Sequence, residues 1–307
     1  MEPFRIHIMG CGSAMPTLKH HPSSQIIEIR GKLFMIDCGE GTQSQLRRYK
    51  IRFTKISAVF ISHLHGDHCF GLLGMISTFG MVGRTADLHI YAPAYYGPLL
   101  KKEIDFFCQG LNFQIRFHPV DTTLQKIIYE DHSLTVETLP LVHRIPCCGY
   151  LFREKPTLPH IRRDMIDCYD VPVSQINNIK LGADWTAEDG EVIPNACFVE
   201  PADLPRSYAY CSDTKYMPEL YKKVSGVSLL YHESTYIQAD QERARLYYHS
   251  TARQAALVAR ASGAGKLLLG HYSARYDDEK VMLAEAKEVF PNSCLTHEGD
   301  SFDINNP

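Results

Sequence analysis

Residues 62–68 read Ser-His-Leu-His-Gly-Asp-His, which places His63, His65, Asp67 and His68 within six positions. Imidazole and carboxylate are the ligands that zinc, manganese and iron take from proteins. Four of them in one short loop can serve two ions, provided further ligands arrive from elsewhere. The alternation of His63 and His65 lets both point to one side. Gly66 then allows a sharp turn that brings Asp67 and His68 round. Further ligand-type residues follow as His143, Asp213, Glu233, His249 and His271. Asp37 is a carboxylate suited to orient the histidine loop by hydrogen bonds rather than to bind an ion itself.

These residues need elements to position them. An apolar run over 58–61 predicts a buried strand entering the histidine loop, and a second over 70–76 predicts a buried helix leaving it. Strands are expected over 134–140, 207–211, 227–231 and 266–270. They end close to His143, Asp213, Glu233 and His271 respectively. A helix over 252–261 can be capped by Ser250 or Thr251. Upstream, the pattern predicts a strand over 4–9, a hairpin turning at Gly31, and helices ending near Arg48 and Cys108. Many strand ends thus converge on one edge, with helices between them. Two sheets sandwiched between helices would allow this α/β pattern, in which strand ends are where ligands collect.

The chain has 307 residues and a formal charge of −3, so no global attraction to nucleic acid is expected, and an RNA-binding surface would have to be a local patch. Ten cysteines occur without a CxxC pair. This argues against a disulfide framework or a cysteine zinc knuckle and for reduced thiols in a cytoplasmic protein. No signal-peptide pattern opens the chain, and no apolar run is long enough to span a membrane. Regular periodicity weakens over 151–199, where Pro156, Pro159, Pro172 and Pro194 recur among mixed charges. This stretch reads either as an excursion from the core that touches a partner or substrate or as an ordinary decorated surface loop with a small helix.

The HxHxDH loop resembles the metallo-β-lactamase superfamily. Together with Ser212-Asp213-Thr214, the HExT segment 232–235, the HST segment 249–251 and the GHxSxRY segment 270–276, the chain is similar to the ribonuclease Z family, in its short bacterial, Bacteroidetes-like form. The resemblance covers nearly the whole chain. It implies an αββα sandwich over 1–307 with an inserted tRNA-binding arm at 151–195. It also implies an endonuclease that removes 3′ trailers from precursor tRNA, leaving a 3′-hydroxyl on the tRNA and a 5′-phosphate on the trailer. By resemblance, His63, His65 and His143 hold one Zn2+ while Asp67, His68 and His271 hold a second. Asp213 bridges them, and Asp67 is in addition a proton acceptor. Mn2+ or another divalent ion would suit the same ligands. A homodimer is implied, in which the arm of one subunit clamps tRNA for the other.

Outside the ligand set, Glu233 and His249 suit a carboxylate-oriented imidazole that protonates the leaving 3′-oxygen. Lys19, Ser250, Thr251 and Arg275 are candidate phosphate contacts. Two segments depart from the family pattern. A loop of the PxKxRN type reads Pro16-Thr17-Leu18-Lys19-His20-His21, and the arm lacks a glycine-rich tip. The rival readings are another metallo-β-lactamase hydrolase, such as a cyclic-nucleotide phosphodiesterase or an arylsulfatase relative, and a non-catalytic RNA-binding scaffold. The complete ligand set argues against the scaffold.

Overall fold

A computed structural model describes residues 2–305. Its first sheet has seven strands in the spatial order Ser301–Asp303, Phe4–Gly10, Ser24–Ile29, Lys32–Ile36, Ile56–Phe60, Leu88–Pro93, Ile115–Val120. The hairpin between Ser24–Ile29 and Lys32–Ile36 turns at Arg30 and Gly31, whose φ values of 47° and 74° match the twist of the flanking strands. From Lys32–Ile36 onward the pairing is parallel. Parallel strands are covered on both faces, which explains their near-continuous apolar runs. Helices Thr42–Arg48, Gly71–Met81 and Tyr96–Phe107 supply the outer cover. Leu46, Leu72, Met75, Phe79 and Leu100 bury with Met35, Val59, Ile61 and Ile90 of the sheet side.

The second sheet also has seven strands, ordered Ser293–Leu295, Lys266–Gly270, Leu229–Glu233, Ser207–Cys211, Cys148–Glu154, Leu134–Pro140, Ile127–Glu130. Helices Ala252–Ser262 and Lys280–Lys287 bury Ala255, Ala256, Ala259, Met282 and Ala286 in the core. Between the sheets, aromatic rings from both meet, with Phe60 and Tyr150 centroids 5.3 Å apart and Phe34 and Phe152 5.9 Å apart. The layers are therefore helix, sheet, sheet, helix, the expected αββα order. No helix among the described residues is long and apolar enough to cross a membrane.

The excursion takes different bounds from those expected. Residues 151–153 belong to the strand Cys148–Glu154, which pairs with Ser207–Cys211. The separate compact unit is Glu154–Pro205. It has its own small core of Ile166, Val171, Ile179, Ile193 and Phe198. Around that core lie helices Arg163–Cys168 and Val173–Lys180 and two short antiparallel strand pairs.

Candidate metal centre and active site

The histidine loop leaves the strand Ile56–Phe60, and its second half, Gly66–Cys69, is a helical turn. Gly66 opens that turn and is not among the glycines of positive φ, so the sharp turn expected there is made without left-handed backbone. What the glycine leaves room for is the Phe70 ring, whose Cε2 would stand 2.3 Å from an added Cβ. Behind the loop, a Cβ on Gly39 would meet the Asp67 carbonyl oxygen at 2.5 Å. Three further residues at strand ends, Asp37, Asp213 and His271, hold left-handed φ values of 54°, 58° and 61°. Left-handed backbone at non-glycine residues is strained, and it persists where neighbouring structure imposes it.

Two clusters result. In the first, His65 Nδ1 lies 3.0 Å from His63 Nε2 and 3.1 Å from His143 Nε2. Asp213 Oδ2 stands 3.7 Å from both of those Nε2 atoms. In the second, Asp213 Oδ1 lies 3.1 Å from the Nε2 atoms of both His68 and His271. Asp67 Oδ2 is 3.4 and 3.7 Å from the same two atoms. Asp213 thus turns one oxygen to each cluster.

The outer nitrogens of the histidines are already engaged. His68 Nδ1 donates to Asp37 Oδ2 at 2.7 Å, and His143 Nδ1 donates to the Tyr248 carbonyl at 3.1 Å. Ser62 Oγ donates to Asp37 at 2.9 Å and therefore accepts from His63 Nδ1 at 3.0 Å. Thr235 Oγ1 donates to Glu233 at 2.6 Å and accepts from His271 Nδ1 at 2.9 Å. Each of these rings must then turn a bare Nε2 lone pair inward. Two of those atoms, His68 Nε2 and His271 Nε2, are buried without any hydrogen bond. Converging lone pairs and two carboxylates are the donor set of a divalent cation. The residues fit the group. Asp37 is fully buried and also accepts from Ser62 N and Tyr210 OH, in the orienting role expected of it.

A pocket of about 480 Å³ opens over the clusters. His249 lines it, with Nδ1 donating to Glu233 Oε1 at 2.8 Å. Burial works against charge on His249, but the Glu233 carboxylate prevails and raises its pKa to about 9. Glu233 is buried and accepts further bonds from Thr214 N at 2.7 Å and Ser250 N at 3.0 Å. The His249 ring lies 5.1 Å from that of His143 and 5.4 Å from that of His271, so the dyad stands against both clusters.

Comparison with known proteins decides the family. The chain is 54% identical over 298 residues to ribonuclease Z of Phocaeicola vulgatus, covering 97% of this chain and 96% of that protein. It is 46% identical over 304 residues to ribonuclease Z of Porphyromonas gingivalis, covering 99% of this chain and 100% of that one. The chain belongs to the ribonuclease Z family. In fold it is similar to the short form of human tRNase Z, with a TM-score of 0.71, 23% identity, and coverage of 98% of this chain and 99% of that one. A family model described as anti-Pycsar protein Apyc1 matches residues 4–145. That match includes the histidine loop and His143 but stops short of Asp213, Glu233, His249 and His271.

Membership of the ribonuclease Z family implies divalent-metal binding, and the two clusters are where such ions would sit. The expected phosphate contacts are placed elsewhere. Lys19 Nζ pairs with Glu279 at 2.6 Å and donates to the Asp277 carbonyl at 2.9 Å. Ser250 is buried, its Oγ donating to the Thr214 carbonyl at 2.8 Å. Thr251 caps the helix Ala252–Ser262 in a reciprocal box with Gln254. Arg275 is exposed, and none of the four lines the pocket. Residues that sequence reasoning passed over do line it: Arg144, Glu40 and Phe70, the last 74% exposed. Arg144 carried a signal, since a cation directly follows a ligand histidine.

Proposed function

We propose that this protein is an endoribonuclease that removes the 3′ trailer of precursor tRNA, using two Zn2+ ions per subunit. The observation that carries this reading is the doubly facing Asp213 between two three-residue clusters, with the Glu233–His249 dyad against both, in a ribonuclease Z chain. His63, His65 and His143 would hold one ion, Asp67, His68 and His271 the other, and Asp213 both. Bound divalent ions acidify water near neutral pH and neutralise charge on a phosphate.

The protein's own groups do the rest. Ala14 N donates to Asp67 Oδ2 at 2.8 Å and so holds that carboxylate at the pocket floor as proton acceptor. Glu233 keeps His249 protonated and turned, ready to give its proton to the departing 3′-oxygen. With a water oxygen bonded to phosphorus, its proton taken up by Asp67, and the P–O3′ bond broken, that proton leaves a 3′-hydroxyl on the tRNA and a 5′-phosphate on the trailer. Unit Glu154–Pro205 is the substrate arm in this reading, presented across a homodimer in the cytoplasm. Incubating the zinc-loaded protein with a precursor tRNA and mapping both new ends tests it. Cleavage at the 3′ end of the tRNA body supports the reading. Turnover of small phosphodiesters alone would favour the phosphodiesterase rival.

A further inference from the structure

Arg144 lies on the pocket wall, is exposed, and pairs with no carboxylate among the described residues. Its guanidinium carbon sits 4.8 Å over the Tyr247 ring. A guanidinium laid on an aromatic face keeps its N–H fork pointing outward, in the geometry that matches a phosphate. Tyr247 and Tyr248 are 40% and 39% exposed. Beside them, Lys215 Nζ lies 5.8 Å over the Tyr248 ring. Each of two cations therefore sits over its own ring, Arg144 on the pocket wall over Tyr247 and Lys215 over the neighbouring Tyr248.

This strip is tied to the chemistry. Tyr248 is held left-handed at a φ of 59°, and its carbonyl accepts from the ligand His143. Lys215 N donates to the Val142 carbonyl at 2.9 Å. Tyr247, Tyr248 and His249 are consecutive, so any strand seated on the rings lies next to the proton donor. Cations beside aromatic faces are how proteins hold single-stranded RNA, with phosphates on the charges and bases on the rings.

We propose that Arg144 and Tyr247, flanked by Tyr248 and Lys215, form a subsite for the RNA strand on the tRNA side of the cut. Arg144 grips the phosphate immediately 5′ to the scissile one, and a tyrosine face stacks the adjoining base. The side follows from His249: the group it protonates is the 3′-oxygen of the last tRNA nucleotide. The inference rests on the precursor-tRNA reading, and its test separates the two.

The zinc-loaded wild type, Arg144→Ala, Arg144→Lys and Tyr247→Ala are assayed on precursor tRNA and on bis(p-nitrophenyl) phosphate across a range of KCl. Arg144→Ala should raise KM for precursor tRNA about tenfold with kcat nearly unchanged. The slope of log KM against log[KCl] should fall by about 0.7, one phosphate contact on a single strand. Arg144→Lys should recover the slope but not the full affinity, because lysine keeps the charge and loses the fork. Tyr247→Ala should raise KM in the same way, and that variant should cut the small diester at the wild-type rate. A precursor carrying one neutral methylphosphonate at the linkage 5′ to the scissile phosphate should slow the wild type as much as Arg144→Ala does and slow that variant no further. Unchanged KM and salt slope in Arg144→Ala, or penalties from variant and methylphosphonate that simply add, would overturn the subsite. A wild type that hydrolyses the small diester and leaves precursor tRNA intact overturns instead the reading beneath it.

Discussion

Glu233 is one buried carboxylate that gathers hydrogen-bond donors from four residues around the pocket. One oxygen holds His249 and Thr214 N; the other holds Ser250 N and the Thr235 hydroxyl, which in turn fixes the tautomer of His271. Replacing His249 with alanine should therefore lower kcat on precursor tRNA by about 10²–10⁴-fold, the usual worth of general acid catalysis. Metal content by elemental analysis should stay at the wild-type level. Loss of an ion in this variant would make His249 a ligand instead. The Glu233→Gln loss should not add to that of His249→Ala, since both act on one proton. A second buried histidine offers a pH test. His20 sits between Glu298 at 3.0 Å and Glu279 at 3.2 Å. Burial alone would lower its pKa, but the two carboxylates outweigh this and raise it. Its stabilising contribution is then complete below the ordinary histidine value of about 6.5 and is lost as pH rises through the raised folded value. The gap in unfolding free energy between wild type and His20→Gln should shrink as the pH is raised along that window. A gap that widened would refute the ion-pair account.

At the scale of elements, the cross-strand partnership of Arg153 with Ser207 means that the chain leaves and re-enters the core sheet at one place. A short turn can therefore replace Glu154–Pro205. That deletion should raise KM for precursor tRNA by at least tenfold and spare hydrolysis of bis(p-nitrophenyl) phosphate. Equal loss of both activities would mean that the unit supports the core. Most long strands and helices were legible because their apolar runs are long and bounded. The strand Cys148–Glu154 was passed over although Gly149-Tyr150-Leu151-Phe152 is apolar, because its chain runs on into the proline-broken segment. The edge strands Ser293–Leu295 and Ser301–Asp303 have three residues each, too few to show a period. The ligand types were legible from one dense loop and a series of strand ends. The fate of Lys19 was not, because its partner Glu279 is 260 positions away and only tertiary folding brings them together.

For the whole molecule, ions held by the two clusters would link metal binding to folding, since the proposed ligands run from His63 to His271 and join both sheets. An ion that binds only the assembled site stabilises it by about 2.7 kcal/mol when present at a hundred times its dissociation constant. Chelating both proposed ions should therefore lower Tm by roughly 8 °C, taking about 1.5 °C per kcal/mol from the unfolding entropy per residue over 307 residues. Scanning calorimetry with and without chelator checks this, and an unchanged Tm would mean that the clusters bind nothing of consequence. The order of the ligands along the chain also governs when the enzyme can first act. The strand Phe4–Gly10 emerges early from the ribosome, but its edge partner Ser301–Asp303 emerges only after every ligand residue. Histidine 271, needed for the second cluster, is itself a late arrival. On the proposed ligand set, a growing chain would lack its full metal site until His271, at position 271 of 307, had been translated.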